Sequence, residues 1–161
     1  MGEPVLPASD GRTKAALAAV RGEAFHVAAV QVSDALLVTV EDDAEGHAVV
    51  WVNEAFERLT GWPADDILGR SPGCLIGERT DPAVVAPLVG ALAEDRPAHE
   101  RLVLHRRDGS SFVVEAKYVA LWSEPASHLW LLRDVSDVAA TEQALRRTEA
   151  WARAIIEHSD D

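Results

Sequence analysis

The sequence predicts an α+β domain built on antiparallel strands. Two β-branched stretches joined by an acidic turn, a middle block of capped helical segments, and three further strand-like stretches separated by turns carry that prediction. A tail without Gly or Pro, residues 135–161, adds a long terminal helix.

Each element has its own justification. Residues 1–11 mix Gly, Pro, Ser and Asp with almost no apolar periodicity and read as a loose leader. Residues 12–33 place Leu17, Val20 and Phe25 among alanines, an N-terminal helical extension of one helix or of two shorter ones broken near Gly22. Residues 35–41 (ALLVTVE) and 48–52 read as an antiparallel strand pair across the acidic turn 42–47. Asn53 caps a short helix that ends at Thr60-Gly61, since Asn accepts from orphan amides and Gly takes the left-handed exit. Residues 65–69 repeat that logic in one turn.

Asp81-Pro82 opens a longer helix, with an acidic cap, Pro in the first turn and an apolar stripe of Val84, Val85, Leu88, Val89 and Leu92 that should lie across the sheet. Residues 100–105, 111–122 and 128–134 supply three strands, the first two joined by Arg106-Arg107-Asp108-Gly109. In the tail, Val138, Leu145 and Ala152 are spaced by seven, as are Thr141, Thr148 and Ile155. This seam favours a two-chain coiled coil over a helix folded back on its own sheet.

Composition narrows the function. The formal charge of −12 opposes nucleic-acid phosphates, and the basic residues are scattered rather than striped, so no nucleic-acid partner is expected. No apolar run is long enough to insert in a membrane, and the start is acidic rather than a basic leader. The single cysteine, Cys74, leaves no internal disulfide and suits a reducing cytoplasmic compartment. Beside Leu75 and Ile76 it reads as a small buried apolar residue before a redox switch. His26, His47, His99, His105, His128 and His158 show no tight ligand spacing, so no metal site is expected. The paired carboxylates, such as Asp65-Asp66, sit at turns as solvated caps. No nucleophile with a supporting base and no phosphate-cradling Gly loop is present, so no catalytic residue is assigned.

Residues 49–70 (VVWVNEAFERLTGWPADDILGR), 77–82 (GERTDP), 106–109 (RRDG) and 133–136 (RDVS) resemble the successive motifs of the PAS family, most closely its flavin-binding LOV branch. The resemblance spans residues 34–136. It implies a five-stranded antiparallel sheet in the order 2-1-5-4-3 with helices on one face enclosing a small cavity. Residues 137–161 then form a linker helix, and 150–161 (AWARAIIEHSDD) resemble the start of a further PAS module.

The same resemblance argues against flavin. In LOV domains the segment matching residues 71–77 reads N-C-R-F-L-Q-G; here the reactive cysteine falls on Pro72, the phosphate-holding arginine on Gly73, and the neighbouring Asn and Gln on Ser71 and Ile76. Two ring-bonding Asn positions fall on Leu104 and Val114, and the flavin-sensing Gln falls on Leu132. Cys74 takes the place of the Phe two residues after the reactive thiol. Each unpaired ring group costs on the order of 1–3 kcal/mol, so four such losses remove about 5 kcal/mol or more of affinity. The pocket candidates Cys74, Ile76, Leu104, Val114 and Leu132 therefore form either a filled core, the simpler expectation, or a site for a hydrophobic small molecule. Haem is not expected either, because residues 81–95 contain no His where haem-binding members usually supply one.

The expected function is a non-catalytic cytoplasmic sensory and dimerisation module, N-terminal in a multidomain bacterial signalling protein. Its partners are a second copy, meeting through Leu17, Val20, Val138, Leu145, Ala152 and Ile155, and an output domain of the same chain: a two-component histidine kinase, a cyclic di-GMP-type enzyme or a phosphatase. The junction Asp134-Val135-Ser136, which ends the last strand and caps the exit helix, is where a signal would cross. The rivals are a flavin-binding LOV-like photoreceptor and a sensor of a small hydrophobic ligand.

Overall fold

The computed structural model describes residues 33–42, 46–123 and 126–158. Leu17, Val20 and the N-terminal extension lie outside these residues. Five antiparallel strands, β1 (Ala35–Asp42), β2 (Gly46–Val52), β3 (Ala98–His105), β4 (Ser111–Ser123) and β5 (Ala126–Asp134), form one sheet in the order β2-β1-β5-β4-β3. Helices α1 (Glu54–Thr60), α2 (Ala64–Ile67) and α3 (Pro82–Ala93), with a 3-10 turn at Pro72–Leu75, fill the link between β2 and β3. Helix α4 (Ser136–His158) leaves the end of β5.

The local chemistry explains these bounds. Asn53 does more than cap α1: its side-chain oxygen accepts from the amides of both Phe56 and Leu36 at 2.9 Å, and its Nδ2 donates to the Asp34 carbonyl at 3.0 Å. One buried amide thereby fastens the helix to the start of β1. Gly61 exits α1 at φ 72°. Asp81 caps α3 by accepting from the Ala83 amide at 2.9 Å.

At its other end α3 closes with the Arg96 amide on the Ala91 carbonyl and the Asp95 amide on that of Leu92. This is the Schellman arrangement, and it puts Asp95, at φ 51°, where Gly is usual. The expected apolar stripe of α3 is corrected in one position. Leu88 and Ala91 are the buried residues, with Val84, Val85 and Leu92 packed at the core edge, whereas Val89 is 58% exposed at the cavity mouth. The helix meets the sheet along a narrower line than its five-residue stripe implies.

The pleat sorts side chains onto two faces. Ala35, Leu37, Leu102, Leu104, Phe112, Val114, Ala116, Tyr118 and Leu132 join Phe56, Ile67, Leu75 and Leu88 in the main core. Val38, Val40 and Val50 belong to a second cluster with Trp51, Leu121 and Leu129. Leu37, Trp130 and Tyr118 stand side by side across β1, β5 and β4, and Ala35, Leu132 and Ala116 form the next row. Of these two rows, Leu37, Trp130, Leu132 and Ala116 floor the site.

Candidate ligand cavity and signal junction

Between the sheet, α3 and the 3-10 turn lies a cavity of about 470 Å³. Sequence reasoning expects a filled core here. In the floor the small Ala116 stands between two larger neighbours, Glu100 on β3 and Leu132 on β5, and Leu75, Leu88 and Leu92 line the space from the 3-10 turn and α3. Such a volume falls within the range of small-molecule sites.

Of the positions singled out from sequence, Ile76, Leu104 and Leu132 line the cavity, as do Ser71, Pro72 and Gly73. Cys74 and Val114 are not among the lining residues. Val114 is wholly buried in the core, one row past Leu132. Cys74 is half-buried at the core edge, and burial pushes its thiol pKa up against the opposing pull of the Arg70 guanidinium. A raised pKa makes a poor thiolate nucleophile.

Of the flavin-contacting positions implied by the resemblance, Ser71, Pro72, Gly73, Ile76, Leu104 and Leu132 line the cavity and Val114 does not; apart from Ser71 they carry a pyrrolidine ring, a glycine and branched alkyl groups. The hydroxyl of Ser71 is already used, accepting from the Gly73 amide at 3.1 Å. Hydrogen-bonding groups for a flavin ring edge do not stand at these places.

One end of the cavity is polar, and sequence reasoning did not assemble it. His128, at 1% exposure, has its Nε2 3.1 Å from Asp95 Oδ1, and its Nδ1 is buried with no partner among the described residues. His47 meets it edge to face at 5.8 Å, and Tyr118 does so from the other side at 5.6 Å. Desolvation first, and then the neighbouring His128, lower the His47 pKa. Glu41, His47, Asp95 and His128 all line this end. The one available signal was parity: His128 alternates with Trp130 and Leu132 on the inward face of β5. Among the described residues, no three His, Cys, Asp or Glu side chains are placed to hold a metal ion.

The junction is bonded into the sheet. The Val135 amide donates to the Val113 carbonyl at 2.9 Å, the Val113 amide donates to Ser136 Oγ at 3.0 Å, and Asp134 Oδ1 accepts from the Ser136 amide at 2.9 Å. Arg106 bridges this corner to α1: its Nε donates to the Leu59 carbonyl at 3.0 Å, its guanidinium lies 4.6 Å from the Phe112 ring, and Nη2 stands 3.7 Å from Asp134.

Beyond the first turns, where Glu142 pairs with Arg101 at 2.8 Å, α4 has no buried residue. Val138, Leu145 and Ile155 are exposed, Ala152 with them. The seven-residue spacing missed Trp151 and Ile156, each 68% exposed, which widen the apolar stripe near the end of the helix. Thr141 and Thr148 donate to the carbonyls of Asp137 and Ala144, so their hydroxyls are satisfied within the helix. No helix among the described residues is long and apolar enough to cross a membrane.

A sheet in this order with helices over one face and a cavity between them is the α+β architecture of PAS and LOV sensor domains. The chain belongs to the PAS domain family, whose model matches residues 33–137. The LOV domain of the Erythrobacter litoralis EL346 blue-light activated histidine kinase superposes with a TM-score of 0.61 at 25% identity, over 66% of this chain and 99% of that one. An RNA-binding light-oxygen-voltage receptor gives 0.71 at 24% identity, over 91% of this chain and 41% of that one, a likeness of fold alone. Among curated relatives, a blue-light-activated histidine kinase of Brucella ovis is 35% identical over 66 residues, 41% of this chain and 14% of that protein. The bacterioopsin transcriptional activator of Halobacterium salinarum is 27% identical over 113 residues, 68% of this chain and 17% of its own length. The chain therefore spans a small part of the curated relatives it matches.

Proposed function

We propose that this chain is a non-catalytic cytoplasmic sensory and dimerisation module of a multidomain bacterial signalling protein, which works without flavin and passes its signal through α4 to an output domain of the same chain. The observation that carries this reading is the junction: Ser136 and Val135 are bonded to β4, so a shift in the sheet is delivered to the first turn of a helix whose Val138 and Leu145 are exposed. Pairing of two such helices would bury the stripe and make their crossing or register the output variable.

A blue-light histidine kinase is the natural precedent for the output, since it is what the Brucella and Erythrobacter proteins are named. Flavin is set aside because Leu104 and Leu132 replace the polar groups that a ring edge needs, and Pro72 stands where a reactive thiol would. The cavity of about 470 Å³ favours, as a second element of the reading, a small and largely apolar ligand as the signal. The net charge of −12 supports signalling through protein contacts rather than through nucleic acid.

Light scattering on the chain and on its Leu145→Glu/Ile155→Glu variant tests the pairing. The expected result is a dimer that becomes a monomer. A variant with unchanged mass contradicts the proposed seam.

A further inference from the structure

Resting on that reading, we infer that the cavity takes a specific chemical class of ligand: a compact, apolar and uncharged molecule bearing one hydrogen-bond donor, a phenolic or heteroaromatic O–H or N–H, whose donor end is held by Nδ1 of His128. The lining is sharply divided. Leu37, Leu75, Leu88, Leu102, Leu104 and Leu132 offer only hydrocarbon, while Glu41, His47, Asp95 and His128 gather at the end formed by β1, β2, the start of β5 and the C-terminus of α3; Ser71, at the 3-10 turn, already accepts from the Gly73 amide.

The polarity of that end follows from proton counting. A carboxylate only accepts, so the 3.1 Å contact to Asp95 puts the proton of a neutral His128 ring on Nε2. Nδ1 is then a bare lone pair on a ring that is 1% exposed, with no partner among the described residues. A buried acceptor left unsatisfied is costly, and a ligand that donates to it removes that cost. An anionic head is disfavoured because the carboxylates of Glu41 and Asp95 line the same end. A head with neither donor nor charge leaves Nδ1 as it was. The contact would also bear on the signal, since Asp95 ends α3 and His128 opens the strand that leads to the junction at Asp134.

Three probes with one bicyclic body separate the possibilities: 1-naphthol, 1-methoxynaphthalene and 1-naphthoate, titrated into the purified chain by calorimetry. The inference predicts naphthol tighter than the methyl ether by roughly five- to tenfold, the worth of one well-placed hydrogen bond, and naphthoate weaker than either. His128→Phe, which keeps an aromatic ring against Tyr118, should bring naphthol down to the level of the ether and leave the ether unchanged. Equal binding of naphthol and ether by the natural chain overturns the assignment, as does tighter binding of naphthoate, and both read out without any variant. Failure of all three probes in a colourless dimer also overturns it while leaving the sensory module reading intact. A resident flavin would instead defeat that reading itself.

Discussion

The hydroxyl of Ser136, first residue of the exit helix, accepts a hydrogen bond from the backbone amide of Val113 at 3.0 Å, while Val113 returns a carbonyl bond to Val135 at 2.9 Å. The inner strand β4 and the start of α4 are thereby clasped by one side chain and one backbone bond. Ser136→Ala removes the acceptor and should cost about 1 kcal/mol of stability. Its clearer mark is faster hydrogen exchange at the Val113 amide, with protection elsewhere in β4 retained. Unchanged exchange at Val113 would show that the clasp does not hold the junction.

Asp95 holds an unusual place, a non-glycine residue at φ 51° closing α3 while its carboxylate reaches His128. Two opposing effects separate cleanly by mutation. Asp95→Gly relieves the left-handed backbone, worth about 1 kcal/mol, as it gives up the contact, so stability should change by less than about 0.5 kcal/mol. Asp95→Ala gives up the contact without that relief and should lose about 1–2 kcal/mol. Urea unfolding checks both, and equal losses in the two variants would mean that the backbone conformation contributes nothing.

His47 links stability to pH. Its burial, followed by the proximity of His128, lowers its pKa from the ordinary 6.5. Above that value both folded and unfolded chains carry it neutral and it has no effect. As the pH falls below 6.5 the unfolded chain takes up the proton first, so the folded state loses stability until its own lowered pKa is passed. His47→Gln should therefore flatten the acid limb of the melting temperature below pH 6.5. Superimposable profiles for the two proteins would exclude this residue as a source of acid sensitivity.

Local rules made most of this fold readable. Asn53, Gly61 and the Asp81-Pro82 pair announce helix ends because capping is decided within three or four residues, and the strands announce themselves through β-branched alternation. The sheet order came from resemblance, since nothing local determines which strand lies beside β1. The pocket was half visible: the resemblance pointed to Leu104 and Leu132, which line it, but equally to Val114, which packs one row away from the cavity. The polar end was illegible because His47, Asp95 and His128 come from three separate elements and meet only when the sheet closes. Val89 shows the same limit on α3, where helical period marks an apolar face but not how much of it the sheet covers.

The proposed function has two parts, a cavity that works without flavin and pairing of α4 with a second copy. Native mass spectrometry of the freshly purified chain reads both at once. The predicted spectrum is a dimer without the mass of a flavin nucleotide, alone or with a smaller bound molecule that is released as a neutral. A stoichiometric flavin adduct on each subunit, or a monomer at concentrations where the chain is folded, would contradict it.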